Sequence, residues 1–145
     1  MSHLIFSRSQ HTLELYNARG QNLGAWEAYN NADSSSKGIW PNGVYRFLYW
    51  NAHVGQGVES KYGAHGIFVF DVPGRSGMGV HAGRLHRSTS MPGPQYWTKG
   101  CIRTDERAMK AILNVHNGDD PLARIVVANA RLGDYPVQSS RMAMA

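Results

Sequence analysis

The chain has one cysteine in 145 residues, Cys101. No intrachain disulfide can form, so the fold must be held by its core, and the redox compartment stays open. Charged residues make up only 17%, against 42% hydrophobic, which excludes a disordered chain. No run approaches ~18 consecutive apolar residues, so no helix is expected to span a membrane and no membrane insertion is expected. The opening, MSHLIFSRSQHTLELY, lacks a basic leader. Its apolar run from Leu4 to Phe6 is too short for a secretory signal, so no cleavable signal peptide is expected. The formal charge of +5 favours acidic partners such as an anionic cell-wall polymer. The basic residues are scattered, however, and no nucleic-acid motif is visible, so a nucleic-acid partner is not expected.

What is there reads as strands and turns. Sixteen glycines and 10% aromatics suit a mainly β chain better than a helical bundle. The length fits one domain, residues 1 to 145, with the tail from 137 to 145 poorly tied down. Leu4 and Phe6 alternate with Ile5 and Ser7, and Leu13 and Leu15 with Glu14 and Tyr16, the pattern of half-buried strands. Gly20 supplies the positive φ for the turn into LGAWEAYN. VYRFLYW and HGIFVFDV are further β-prone runs, and ARIVVANA a last one. STSMPGPQYW reads as a rim loop. One substantial helix is expected in TDERAMKAILNVHNG. Thr104 or Asp105 can cap its start and Gly118 its end, with Ala108, Ile112 and Val115 on one face.

Cys101 stands between Gly100 and that helix. A thiol attacks as its thiolate and needs a base, a cation or a helix N-terminus to form one near neutrality. Arg103 is two residues away, and the helix follows. His81 lies in the glycine-rich GRSGMGVHAGR, where backbone can approach a ligand closely. His81, His86 and Cys101 have no recognised zinc spacing, so neither a metal nor a cofactor is expected. Tyr96 and Trp97 adjoin the cysteine and are candidates to line a cleft. Tyr45, Tyr49 and Trp50 lie in a strand and are expected on the sheet or in the core. His65, at the start of HGIFVF, is a further candidate.

His81, then sixteen residues, then Thr98-Lys99-Gly100-Cys101-Ile102-Arg103 resembles the motif of the L,D-transpeptidase catalytic domain, also called YkuD-like. HTLELYNARGQNLGAWEAYN, GIWPNGVYRF and GIFVFDV resemble its upstream hairpin and strands. The resemblance departs at His81-Ala82-Gly83, where the family usually has His-Gly, and at Lys99, where His or Arg is frequent. It implies a β-sandwich or barrel with the helix after the catalytic cysteine. It implies cysteine acyl transfer on peptidoglycan stem peptides, in the periplasm or cell wall.

In that scheme Cys101 attacks the third residue's carbonyl and D-Ala leaves a thioester behind. His81 is the base, the Lys99 carbonyl orients the imidazole, and N–H groups at Gly100 and Cys101 form the oxyanion hole. Arg103, Thr98, Gly83, Tyr96, Trp97 and His65 are the expected substrate-side residues, Arg103 either steadying the loop or binding a substrate carboxylate. Transfer to an amine gives a crosslink or D-amino-acid exchange; transfer to water is carboxypeptidase activity. The missing leader opens delivery by a secretion system as an antibacterial effector, with an immunity protein or a secretion-machine component as partner. Two rivals are a non-catalytic peptidoglycan-binding module and a cysteine peptidase on another peptide.

Overall fold

The computed structural model describes residues 1–34, 36–52, 57–85 and 93–129. His86, part of the rim loop and the tail from 137 to 145 lie outside the described residues. Among the described residues there are eight strands: β1 (Ser2–Ser7), β2 (Thr12–Tyr16), β3 (Asn22–Tyr29), β4 (Gly43–Asn51), β5 (Ile67–Phe70), β6 (Gly79–His81), β7 (Ile102–Thr104) and β8 (Leu122–Ala128). They close a barrel in the order β1-β2-β3-β7-β6-β5-β4-β8. One α-helix, α1 (Glu106–Asn117), follows β7. The mainly β fold with a single substantial helix is as the sequence predicts.

Alternation places β2 as expected: Leu13 and Leu15 are fully buried, while Thr12, Glu14 and Tyr16 are half-buried. β1 differs from expectation, because all six of its residues are buried. It runs between β2, antiparallel, and β8, parallel, and so has no free edge. His3 packs in a stacked arrangement on Tyr16, which helps cover the second face. Gly20, at φ 80°, makes the predicted turn between β2 and β3.

The barrel interior is filled by Leu4, Phe6, Phe68, Phe70, Ile102 and Ile125, each at most 1% exposed. Burying a large apolar side chain contributes roughly 1.5–3 kcal/mol. Helix α1 adds Ala108, Met109 and Ile112 to the buried set. Its start is capped by Asp105, whose carboxylate accepts the Ala108 N–H at 2.8 Å. Its end is capped by Gly118, whose N–H donates to Asn114 O and Val115 O. Both caps are the ones the sequence offers.

β6 and β7 position the site. They are only three residues each and pair in parallel, Val80 with Ile102 and His81 with Arg103. Side chains alternate across a strand. Val80 and Ile102 therefore point into the core, where both are fully buried. His81, Arg103 and Cys101 fall on the opposite face.

Candidate active site

The parallel register brings His81 and Cys101 together. Cys101 precedes Ile102 and lies level with Gly79, two residues before His81. The two side chains are thus diagonal neighbours on one face, a separation that side chains bridge. Both line a cleft of about 400 Å³, together with Asp33, Lys61, Tyr62 and Arg84. Tyr96, Trp97, Thr98, Lys99 and Arg103 complete its lining. A second cleft of about 290 Å³ also opens on Cys101 and shares Tyr62 and Lys99 with the first. Its other walls include Tyr49, Ile67, Val69 and Met78, and Lys99 is its one charged residue.

The turn carrying Cys101 is tightly specified. Gly100 takes φ 125°, a left-handed conformation open to glycine. A Cβ there would also lie 3.0 Å from Met78 Sδ. Its carbonyl accepts two buried hydrogen bonds, from Trp40 Nε1 at 2.7 Å and Asn30 Nδ2 at 2.9 Å. Asn30 in turn accepts the Trp40 backbone N–H at 2.9 Å. Thr98 Oγ1 donates to Cys101 O at 2.7 Å and accepts the Gly100 N–H at 3.0 Å. Thr98 is therefore a brace of the turn, where the resemblance implied a substrate contact. The Gly100 N–H is likewise taken up inside the turn, which corrects its expected place in an oxyanion hole. A trans peptide directs its C=O and N–H oppositely. The pinned Gly100 carbonyl thus turns the Cys101 N–H away from Asn30 and Trp40.

His81 is 3% exposed. Its Nδ1 lies 2.7 Å from the carbonyl of Ala82, which takes the place that the resemblance gave to Lys99. The adjacent residue is a shorter route to the same end: a carbonyl on Nδ1 fixes the proton there and makes Nε2 the basic nitrogen. The Tyr62 ring meets the imidazole edge-on, with centroids 5.0 Å apart.

The thiol's environment departs from expectation. Burial pushes the Cys101 pKa up, and this outweighs the Gly79 backbone N–H and the Arg103 charge, which pull it down. The expected help from the helix is missing, because β7 intervenes. Four residues of extended chain separate Cys101 from the cap at Asp105, about 13 Å. At rest the sulfur points toward Gly77 O at 3.8 Å, the geometry of a weak S–H donor. Alkylation of Cys101 by iodoacetamide is accordingly expected to quicken about tenfold per pH unit from neutrality to pH ~9, without a plateau. A rate already level below pH ~7 would instead show a resting thiolate.

Arg103 is a buried clamp, which is the loop-steadying one of its two expected roles. Its Nε donates to Ala82 O at 3.2 Å, and Nη1 to Tyr96 O at 2.8 Å and Trp97 O at 3.2 Å. Nη2 donates to Lys61 O at 2.9 Å. Burial, reinforced by the charge of Arg84, lowers its pKa to about 10. Gly83 is also structural: at φ 103°, a Cβ would fall 2.3 Å from Ser60 O. Tyr96 and Trp97 line the cleft as expected, Trp97 half exposed. His65 does not reach it. Its Nδ1 lies 2.7 Å from Glu106 Oε1, at the foot of α1. Asn30, Trp40 and Tyr62 are the positioning residues that sequence reasoning missed.

No protein-family model and no curated protein sequence matches the chain. Solved structures do. A Bdellovibrio bacteriovorus protein, Bd1075, superposes with a TM-score of 0.63 at 17% identity, covering 86% of this chain and 46% of that one. L,D-transpeptidase 1 of Mycobacterium tuberculosis gives 0.54 at 17% identity, covering 88% and 62%. An L,D-transpeptidase of Stackebrandtia nassauensis gives 0.54 at 13% identity, covering 91% and 57%. The fold is that of the L,D-transpeptidase catalytic domain. The chain spans about half to three-fifths of the length of these structures.

Proposed function

We propose that the protein is a cysteine acyl-transferase of L,D-transpeptidase type, acting on peptidoglycan stem peptides. The observation that carries this reading is the placing of His81 and Cys101 on one face of the β6–β7 pair, where two clefts meet. His81 Nε2 takes the thiol proton as sulfur attacks the carbonyl of the third stem residue. The Cys101 N–H receives the oxyanion. The C–N bond to the terminal D-Ala breaks, and the imidazolium returns its proton to the departing amine. A thioester remains on Cys101.

Two clefts meeting at one sulfur suit a two-substrate reaction. The acyl donor lies in the larger, cationic cleft beside His81. The acceptor amine enters by the smaller one, and attack on the thioester regenerates the thiol. Water in that place gives carboxypeptidase activity. The substrate sets the place of action in the periplasm or cell wall.

Intact-protein mass spectrometry after mixing with disaccharide-tetrapeptide tests this. The expected adduct has the mass of the substrate less D-Ala and maps to Cys101. No adduct together with no release of D-Ala would overturn the reading in favour of a binding module or a different peptide substrate.

A further inference from the structure

The larger cleft holds a second arginine that the acyl-transfer chemistry leaves unused. Arg84 is a non-glycine residue at φ 60°, directly after Gly83 at φ 103°. Glycine adopts positive φ freely, but an arginine there is costly to hold, and such residues cluster at functional sites. Here the bend is fixed by the Arg84 N–H donating to Ser60 O at 3.0 Å. It lays the guanidinium over the Tyr96 ring, 5.1 Å from the centroid.

Arg103 sits over the same ring at 5.6 Å. Two cations thus share one aromatic, and no acidic side chain is paired with either among the described residues. Their donors are used differently. Arg103 gives its N–H groups to four carbonyls of the chain. Arg84 Nε is sealed from solvent and has no hydrogen-bond partner among the described residues. Enclosed by the chain, that N–H cannot itself meet a ligand; Arg84 lines the cleft, and its terminal Nη groups make no hydrogen bond among the described residues. Lys61 and Lys99 add positive charge to the lining, against Asp33 as the acid present. Their side chains are solvent-exposed, whereas Arg84 is held in place.

We propose that Arg84 is the anion receptor of this cleft and binds a carboxylate of the substrate. The inference rests on the acyl-transfer reading for the identity of that substrate. A stem tetrapeptide offers the terminal carboxylate of the departing D-residue and, where its third residue is a diamino diacid, a carboxylate on that side chain. Either suits a planar guanidinium fixed against an aromatic face. The aromatic contact holds the side chain in position before the anion arrives.

Binding is read by calorimetry on the Cys101→Ala protein, so that turnover does not interfere. Three tetrapeptides are compared: one with both carboxylates free, one amidated at the third side chain, one amidated at the C-terminus. The expected result is a Kd about 10–100-fold weaker for one of the two amides, which identifies the carboxylate. Adding Arg84→Gln is expected to weaken the parent peptide by the same factor and to erase the difference between peptides. Arg84→Asn, a neutral residue that tolerates positive φ, is expected to behave alike and guards against a folding artefact. Equal binding of all three peptides, no binding of any, or unchanged binding in the Arg84 variants would overturn the proposal. Acylation by the wild type separates the two ideas. Arg84-dependent binding without any thioester leaves the receptor and removes the acyl-transferase. Thioester formation indifferent to both amides does the reverse.

Discussion

With alanine in place of Cys101, both the thioester adduct and the release of D-Ala are expected to vanish, and His81→Gln is expected to slow them about 10²–10⁴-fold. The argument turns on the resting state of the thiol. Burial raises the Cys101 pKa, so a preformed thiolate is not what the site supplies. In the proposed reaction the proton leaves as the substrate arrives, and the imidazole on the same strand face is the group proposed to take it. Its Nδ1 is committed to Ala82 O, which leaves the basic role to Nε2. Glutamine approximates the size of the ring and can keep a donor toward Ala82 but has no basic nitrogen. The two residues act as a unit, so the double variant should be no worse than Cys101→Ala alone. Steady D-Ala release by Cys101→Ala would remove the cysteine from the chemistry. Undiminished release by His81→Gln would assign the base elsewhere. Neither change should alter the fold much, since neither side chain is part of the main apolar core.

Much of this arrangement is legible along the chain, and the rest is hidden for identifiable reasons. The caps of α1 are local signals, Asp105 and Gly118, and both are where the sequence puts them. The alternation of Leu13 and Leu15 with polar neighbours marks β2 in the same way. The short strands β6 and β7 are not legible, because three residues carry too little pattern. Their regularity comes from pairing with each other and with β5 and β3. That is also why the helix looks adjacent to Cys101 in sequence although a strand separates them.

The spacing of His81 and Cys101 is a motif and can be seen. What fixes the Cys101 turn cannot, because Asn30 and Trp40 lie 70 and 60 residues away from the carbonyl they hold. His65 has the residue type for a site but the wrong neighbour. Glu106 takes it, while also accepting the Ala64 N–H at 3.1 Å. That contact anchors the loop whose Tyr62 packs against His81.

Replacing Arg103 is expected to cost about 3–4 kcal/mol of stability and to lower Tm by roughly 10–15 °C, for lysine as well as for methionine. The guanidinium joins four carbonyls from three segments of chain: Lys61, Ala82, and Tyr96 with Trp97. All three segments line or support the cleft at Cys101, and Ala82 O is also the acceptor of His81 Nδ1. Hydrogen bonds from a charged donor contribute about 1.5–3 kcal/mol each, and removing them together leaves buried acceptors unpaired. The sum is discounted because burial already disfavours the charge, as the pKa of about 10 records. Methionine fills the volume but donates nothing. Lysine keeps the charge but brings its three N–H groups to one point, and a point cannot reach carbonyls spread around a planar fork. Thermal unfolding of both variants therefore separates a clamp from a substrate ligand. A clamp predicts a large fall in Tm with lysine as well. A residue whose task is to hold a substrate carboxylate would instead give near-normal Tm, a raised KM and partial rescue by lysine.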